Sequence, residues 1–410
     1  MKIWIKLFAA TVIGILLGLF LPNTEGKTSE VFFQLSGYLI RVGRFILFPL
    51  VFFSLSLGVY ELQMEKKTLK VYFRTFLYIV ISSALAVIFG TLMVFLLSPQ
   101  RIPIIIKQQE VIGFPTLREV IHSLFPTNLF NVIVSSGDYL LPIAFFAFFL
   151  GINLSFDKTV TRPVTHLLEA LSRVFEHMNS LIMEIISLAS IILAANMTFQ
   201  LRLAEEISLF IQLVVTITAI ILILVLGIYP LLFYLFSGKS NPYKGLYGSL
   251  APALTGLVSG DTYFSITMLF RHGRENLGIP RKVNSTTFTA FALFGKAGTA
   301  LVTAVSFIVI LKSYSSLGIT ISQILWISLF SFLFSFITGP FPGTGVLITL
   351  SALCGLYGKG LEEGYLILQP ILPLLISLSV FLDIITTSLV SVLITKHEGL
   401  FKDPPPEDFV

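Results

Sequence analysis

"TGPFPGTG", residues 338–345, interrupts an apolar run that extends from 322 to 357. A second interruption, "TGLVSGDTYFS" at 255–265, lies inside the apolar stretch 244–271. Pro and Gly at this density end helices. Each half is then read as too short to cross a bilayer, which takes about 20 apolar residues. The economical reading is two helical hairpins that enter and leave the membrane on the same side. Non-helical backbone at membrane depth persists only where it is buried in protein or lines a wet cavity. The other reading is two ordinary spans, each kinked at its Gly and Pro.

The rest of the chain is a membrane sequence. Of 410 residues, 55% are hydrophobic and 12% charged. The mean hydropathy is +0.91. Such a composition is that of a polytopic membrane protein. Full helices are expected at 3–21, 35–60, 71–97, 120–156, 164–198, 206–237, 283–311 and 363–395. The run 120–156 is expected in pieces, broken by "SSGDYLLP". The fold class is therefore all-α, with eight transmembrane helices plus two re-entrant hairpins. Each hairpin precedes a full helix, which makes an inverted repeat and points to a transporter's binding site. Counting loop Lys and Arg places the N- and C-termini in the cytoplasm. The first apolar run is read as a retained helix, since no small-residue cleavage site follows it. The tail "KDPPPEDFV" reads as a disordered end.

Several function classes are set aside. The net charge of +5 is modest and belongs to loops rather than to a nucleic-acid surface. Cys354 is alone, so no intrachain disulfide forms. His122, His166, His177, His272 and His397 have no metal-ligand spacing. Nothing resembles a catalytic triad, a phosphate loop or a zinc site, so neither an enzyme nor a cofactor is expected. Arg173 and Glu176 are spaced to pair, and Glu184 is read as a buried structural group or a wet-face residue.

Beyond these readings, the chain resembles the dicarboxylate/amino acid:cation symporters, the glutamate-transporter family. The stretches that carry the likeness are "LFPTNLFNVIVSSGDYLLPIAFFAFFLGI" at 124–152, "SSALAVIFG" at 82–90, "TGPFPGTG", and "VFLDIITTSLV" at 380–390 with "HEGLF" after it. Their order and spacing match along nearly the whole chain. The resemblance implies a homotrimer in the bacterial inner membrane. It implies a static scaffold, here 1–70 and 120–198. It implies a transport domain, 71–98 and 206–396, that slides like an elevator with a small-molecule substrate between the hairpin tips. Residues 397–410 would be a cytoplasmic tail. The substrate-binding positions carried over are Ser259, Gly260, Asp261 and Thr262 at the first tip, and Phe341 and Gly345 at the second. Thr299, Asp383, Thr386 and Thr387 complete them.

The chain departs from the family at the ion sites. Where the family has NMDGT, this sequence has Gly295, Lys296, Ala297, Gly298 and Thr299. The Asn and Asp that serve sodium are gone, while Gly-Thr remains to break the helix. Asp383 matches the residue for a substrate amino group, and Thr386 replaces the Arg for a side-chain carboxylate. Lys296 is an ammonium amid apolar residues and is expected to replace a coupling cation, paired with Asp383 or otherwise Asp261. It would otherwise be a snorkelling lysine. Asp383 has the alternative of a purely structural partner, and Asp261 that of a helix N-cap. The expected function is sodium-independent transport of a small neutral amino acid, with protons as a possible coupling ion. The alternatives are a proton-coupled carrier of another solute, or a non-transporting sensor or scaffold.

Overall fold

The computed structural model describes residues 2–22, 26–97, 99–103, 139–203, 207–315 and 318–409. Among these, helices are the regular structure and no strand occurs. The chain begins with α1 (Ile3–Phe20), α2 (Lys27–Phe45), α3 (Leu47–Met64) and α4 (Thr68–Leu97). There follow α5 (Leu140–Asn153), α6 (Lys158–Leu203), α7 (Ile211–Ile223) and α8 (Tyr229–Phe236), the last two joined by a π turn at Leu224–Ile228. Next come α9 (Pro242–Gly248), α10 (Leu250–Ser259), α11 (Thr262–Glu275), α12 (Arg281–Phe294) and α13 (Ala297–Tyr314). The last are α14 (Ile321–Ser335), α15 (Gly345–Tyr357) and α16 (Leu372–His397). Eight segments among the described residues are long and apolar enough to cross a membrane. The first half of the expected span at 120–156 lies outside the described residues, and α5 is its remainder.

Both interrupted segments break where the sequence breaks. Gly260 ends α10 in the left-handed region, at φ +61°, which suits a residue without a Cβ. Asp261 then caps α11, its Oδ1 accepting from the Phe264 N–H at 2.8 Å. At about 1.5 Å per residue the ten residues of α10 span about 15 Å, half a bilayer core. One arm differs from expectation. The segment Ile321–Thr338 has 18 residues, as many as α1, and is long enough to cross. It starts cleanly because Thr320 and Gln323 form a capping box. Its partner α15 has 13 residues.

Close helix contacts explain the small residues. Gly14 and Gly18 of α1 lie against α6, where a Cβ would meet the Ile191 carbonyl at 2.3 Å and Thr198 Cβ at 2.5 Å. The most buried span is α12 with α13. Other outer helices present Phe, Leu and Ile to the outside, as lipid-facing surfaces do.

Ion pairs join α12 and the end of α11 to α3 and α6. Lys282 pairs with Glu65, Arg274 and Arg281 with Glu176, and Arg271 with Glu184 at 3.7 Å. The expected Arg173–Glu176 pair is replaced by Arg173 with Glu169 at 2.5 Å, an i,i+4 neighbour. The tail also differs from expectation. It folds back, with the Lys402 N–H donating to the Gly278 carbonyl at 3.2 Å. Phe409 is buried and stacks on Tyr247 at 5.6 Å. Lys2 Nζ donates to the Pro406 carbonyl at 3.0 Å. A Pro-rich segment loses little entropy on ordering, and one buried aromatic ring is enough to anchor it.

Candidate functional site

The two interrupted segments meet each other. The Thr262 N–H donates to the Pro342 carbonyl at 3.0 Å. The Tyr263 hydroxyl donates to the Gly339 carbonyl at 2.7 Å. Both contacts cross from the start of α11 to the turn that precedes α15. They satisfy carbonyls that the broken helix leaves without a helical partner.

Beneath this contact lies a second break, between α12 and α13. Phe294 is the last residue of α12, and Gly295 and Lys296 leave helical geometry before α13 begins. Gly298 is needed there, because a Cβ would stand 2.0 Å from the Ser379 carbonyl oxygen of α16. That close approach brings Asp383 to the start of α13. Its Oδ1 accepts from the Gly298 N–H at 2.6 Å, and its Oδ2 from the Thr299 hydroxyl at 3.4 Å. A carboxylate at a helix N-terminus is stabilised by the unpaired N–H groups and the helix dipole.

Lys296 is 2% exposed. Its ammonium donates to the Thr262 hydroxyl at 3.0 Å. Among the described residues it makes no direct ion pair, which corrects the expected contact with Asp383 or Asp261. The two carboxylates remain its electrostatic attractors, Asp383 ahead of Asp261. The reason is that each has other work. Asp383 caps α13. Asp261 caps α11 through Oδ1 and receives Arg44 of α2 on Oδ2.

Arg44 opens the other side of the site. It lines a cavity of about 770 Å³ between α2, α6, both tips and the start of α16. Ser259, Gly260, Asp261 and Phe341 line the same cavity. Thr262, Lys296, Thr299, Gly345 and Asp383 are buried and form no part of its lining.

A model of the sodium:dicarboxylate symporter family matches residues 3–392. The chain belongs to that family. The C4-dicarboxylate transport protein of Bordetella avium (strain 197N) is 24% identical over 180 residues, 42% of this chain and 39% of that one. The corresponding protein of Delftia acidovorans (strain DSM 14801 / SPH-1) is 25% identical over 41% of this chain and 40% of its own. The match thus spans about two fifths of either relative. The proton/sodium-glutamate symport protein of Bacillus subtilis (strain 168) is 23% identical, over 98% of this chain and 94% of that one. A symporter family and eight candidate spans make this a multi-pass membrane protein of the transporter class.

Within this symporter-family chain the predicted site residues divide into three groups. Four line the cavity and five form the network behind it. Thr386 and Thr387 join neither. The Thr386 hydroxyl donates to the Leu382 carbonyl at 2.7 Å and lies 3.2 Å from the Tyr229 hydroxyl. It lines a separate pocket of about 100 Å³ with Tyr78 and Phe233. The Thr387 hydroxyl donates to the Asp383 carbonyl at 2.7 Å. Arg44, Arg41 and Asn196 are cavity residues that sequence reasoning did not assign to the site. Arg41 and Arg44 stand near the end of α2, where arginines read as loop charges, and their i,i+3 spacing on one helix face was the available signal.

Proposed function

We propose that the chain is a secondary active or exchange transporter of a small organic solute that works without sodium, Lys296 standing where a coupling cation would sit. The observation that carries this reading is the buried ammonium at the α12–α13 break. A sodium ion needs oxygen ligands to replace its hydration shell. Gly295 and Ala297, at the positions the resemblance assigns to Asn and Asp, offer no side-chain oxygen. Asp383 is already engaged by Gly298 and Thr299. A second cation beside Lys296 would meet the repulsion of the resident ammonium in a low-dielectric site.

The tips meeting over this break support two re-entrant hairpins that enter from opposite sides and share the site between them. In the elevator scheme, α4 and everything from α7 to α16 would move against α1–α3, α5 and α6, in a homotrimer of the inner membrane with cytoplasmic termini. The neutral amino acid expected from Asp383 and Thr386 loses two of its supports, since both side chains have other partners. A small solute held at the cavity face of the tips is the reading that remains.

Uptake of labelled succinate, glutamate and serine by proteoliposomes tests this. Exchanging sodium for choline at constant ionic strength should leave the transported substrate's rate within about twofold. A tenfold loss would refute sodium independence. No flux of any small solute would refute transport.

A further inference from the structure

Segment 402–409 leads from α16 back to the start of α1. It is held along its length. The Lys402 N–H donates to the Gly278 carbonyl at 3.2 Å, and Asp403 pairs with Lys244 of α9. Gly278 has no room for a side chain, since a Cβ would stand 1.7 Å from the Lys402 carbonyl oxygen. Phe409 is 4% exposed and stacks on the ring of Tyr247, also of α9, at 5.6 Å. Tyr247 is at the same time the residue that α1 holds. The Trp4 indole donates to the Tyr247 hydroxyl at 3.2 Å, and the two rings meet edge-on at 5.9 Å. Lys2 Nζ lies 5.7 Å from the centre of the Tyr247 ring and donates to the Pro406 carbonyl at 3.0 Å. Each contact is modest by itself, and all of them converge on Tyr247 and the segment behind it.

The neighbouring contact is of another kind. Ile3 and Leu7 of α1 share an apolar cluster with Ala251 and Val258 of α10. Apolar burial is non-directional and tolerates sliding, whereas hydrogen bonds and paired rings specify one register. The polar and aromatic contacts also lie far from the 770 Å³ cavity. Helices α1 and α6 run parallel, with Gly14 against Ile191 and Gly18 against Thr198. Asn196 and Gln200 line the cavity, so it sits at the Gly18 end of α1. Trp4 stands about 21 Å earlier along the helix.

We infer that Lys2, Trp4, Tyr247 and Phe409 form a clasp that ties α1 to α9 and brakes the stroke, with segment 402–409 as its strap. This rests on the elevator reading above, in which α9 and α16 move against α1. The clasp favours the arrangement described here, with the cavity at the opposite end of α1. It must part before α9 can move, so loosening it speeds the crossing. The strap lies beyond α16 and touches no cavity residue among those named, so it sets the rate and leaves solute affinity alone.

The test is exchange by the full-length protein in proteoliposomes. Labelled succinate, glutamate or serine is saturating on both sides, so that the crossing limits the rate. Phe409→Ala removes the stacked ring, and Trp4→Phe keeps a ring but loses the N–H. Each should speed exchange by about threefold or more, with half-saturation unchanged within about twofold. The double variant should gain less than the product of the singles, because both act through Tyr247. A contact that only supports the fold would slow exchange or leave it alone. Parent or slower exchange in either single variant therefore overturns the proposal. Spin labels at Phe8→Cys and Tyr243→Cys, exposed positions on α1 and α9, read the clasp directly in a Cys354→Ser background. The parent should show one dominant distance, and Phe409→Ala should add a second. A single unchanged distance overturns the clasp. A second distance without flux of any probe overturns the transport reading instead and leaves the clasp standing.

Discussion

Lys296→Met and Asp383→Asn should be coupled through space and not through a shared bond. Lys296 gives its hydrogen bond to Thr262, and Asp383 takes its own from Gly298 and Thr299. Two unit charges 4 Å apart interact by about 4 kcal/mol at an effective dielectric of 20, and by about 2.5 kcal/mol at 6–7 Å. The ammonium and carboxylate stand beyond ion-pair distance, so a coupling of about 2 kcal/mol is expected. Lys296→Met alone loses a charged hydrogen bond, costing about 1.5–3 kcal/mol, and regains part of the cost of burying an ammonium. Its net cost should be about 1–3 kcal/mol, below the 3–5 kcal/mol typical of a broken buried pair. Asp383→Asn keeps an oxygen for the Gly298 N–H but leaves Lys296 without its main counter-charge, at about 2–4 kcal/mol. The double variant should fall short of the sum by about 2 kcal/mol. Unfolding in mixed micelles with increasing SDS, read by fluorescence and circular dichroism, measures all four corners. Additivity within about 0.5 kcal/mol would refute the electrostatic link. A loss above about 5 kcal/mol for Lys296→Met would refute the absence of a direct pair.

Other outcomes follow from single contacts. Gly298→Ala forces a Cβ to 2.0 Å from the Ser379 carbonyl and should prevent a monodisperse peak in size-exclusion chromatography; a normal elution profile with parent stability would contradict the close approach. Tyr263→Phe removes the 2.7 Å bond to Gly339 and should lower stability by about 1 kcal/mol in the same SDS titration. Phe409→Ala should release the tail and speed tryptic cleavage after the exposed Lys402 by about tenfold. An unchanged cleavage rate would mean that stacking on Tyr247 does not hold it.

What the sequence made legible was set by hydropathy and by backbone breakers. Gly260 and the Pro-Gly turn at 339–343 are local signals, and each of those breaks falls where they stand; the α12–α13 break falls at Gly295 and Lys296, ahead of the Gly298-Thr299 pair expected to make it. Lys296 and Asp383 were legible as complementary charges, because an isolated ammonium in an apolar run demands compensation. Their actual contacts were not legible. Which hydroxyl or N–H a side chain meets at a broken helix depends on a shift of a single residue. Arg44 was missed because its partner is 217 positions away, and an arginine near a helix end reads as an ordinary loop charge. The tail was misread because composition registers its prolines and charges and not one anchoring phenylalanine. Thr386 was carried over by alignment alone, and its side chain is held by Tyr229 and by the Leu382 carbonyl.

The junction of α13 with α16 has a mechanical consequence. Backbone meets backbone at Gly298 and Ser379, and Asp383 reaches across to Gly298 and Thr299 within the same turn. Contacts so short leave no room for one helix to slip or roll along the other. The two behave as a single rigid lever, so a spin-label pair with one label on each helix would keep one distance through the whole working cycle. Any stroke the protein makes must appear between that lever and its surroundings.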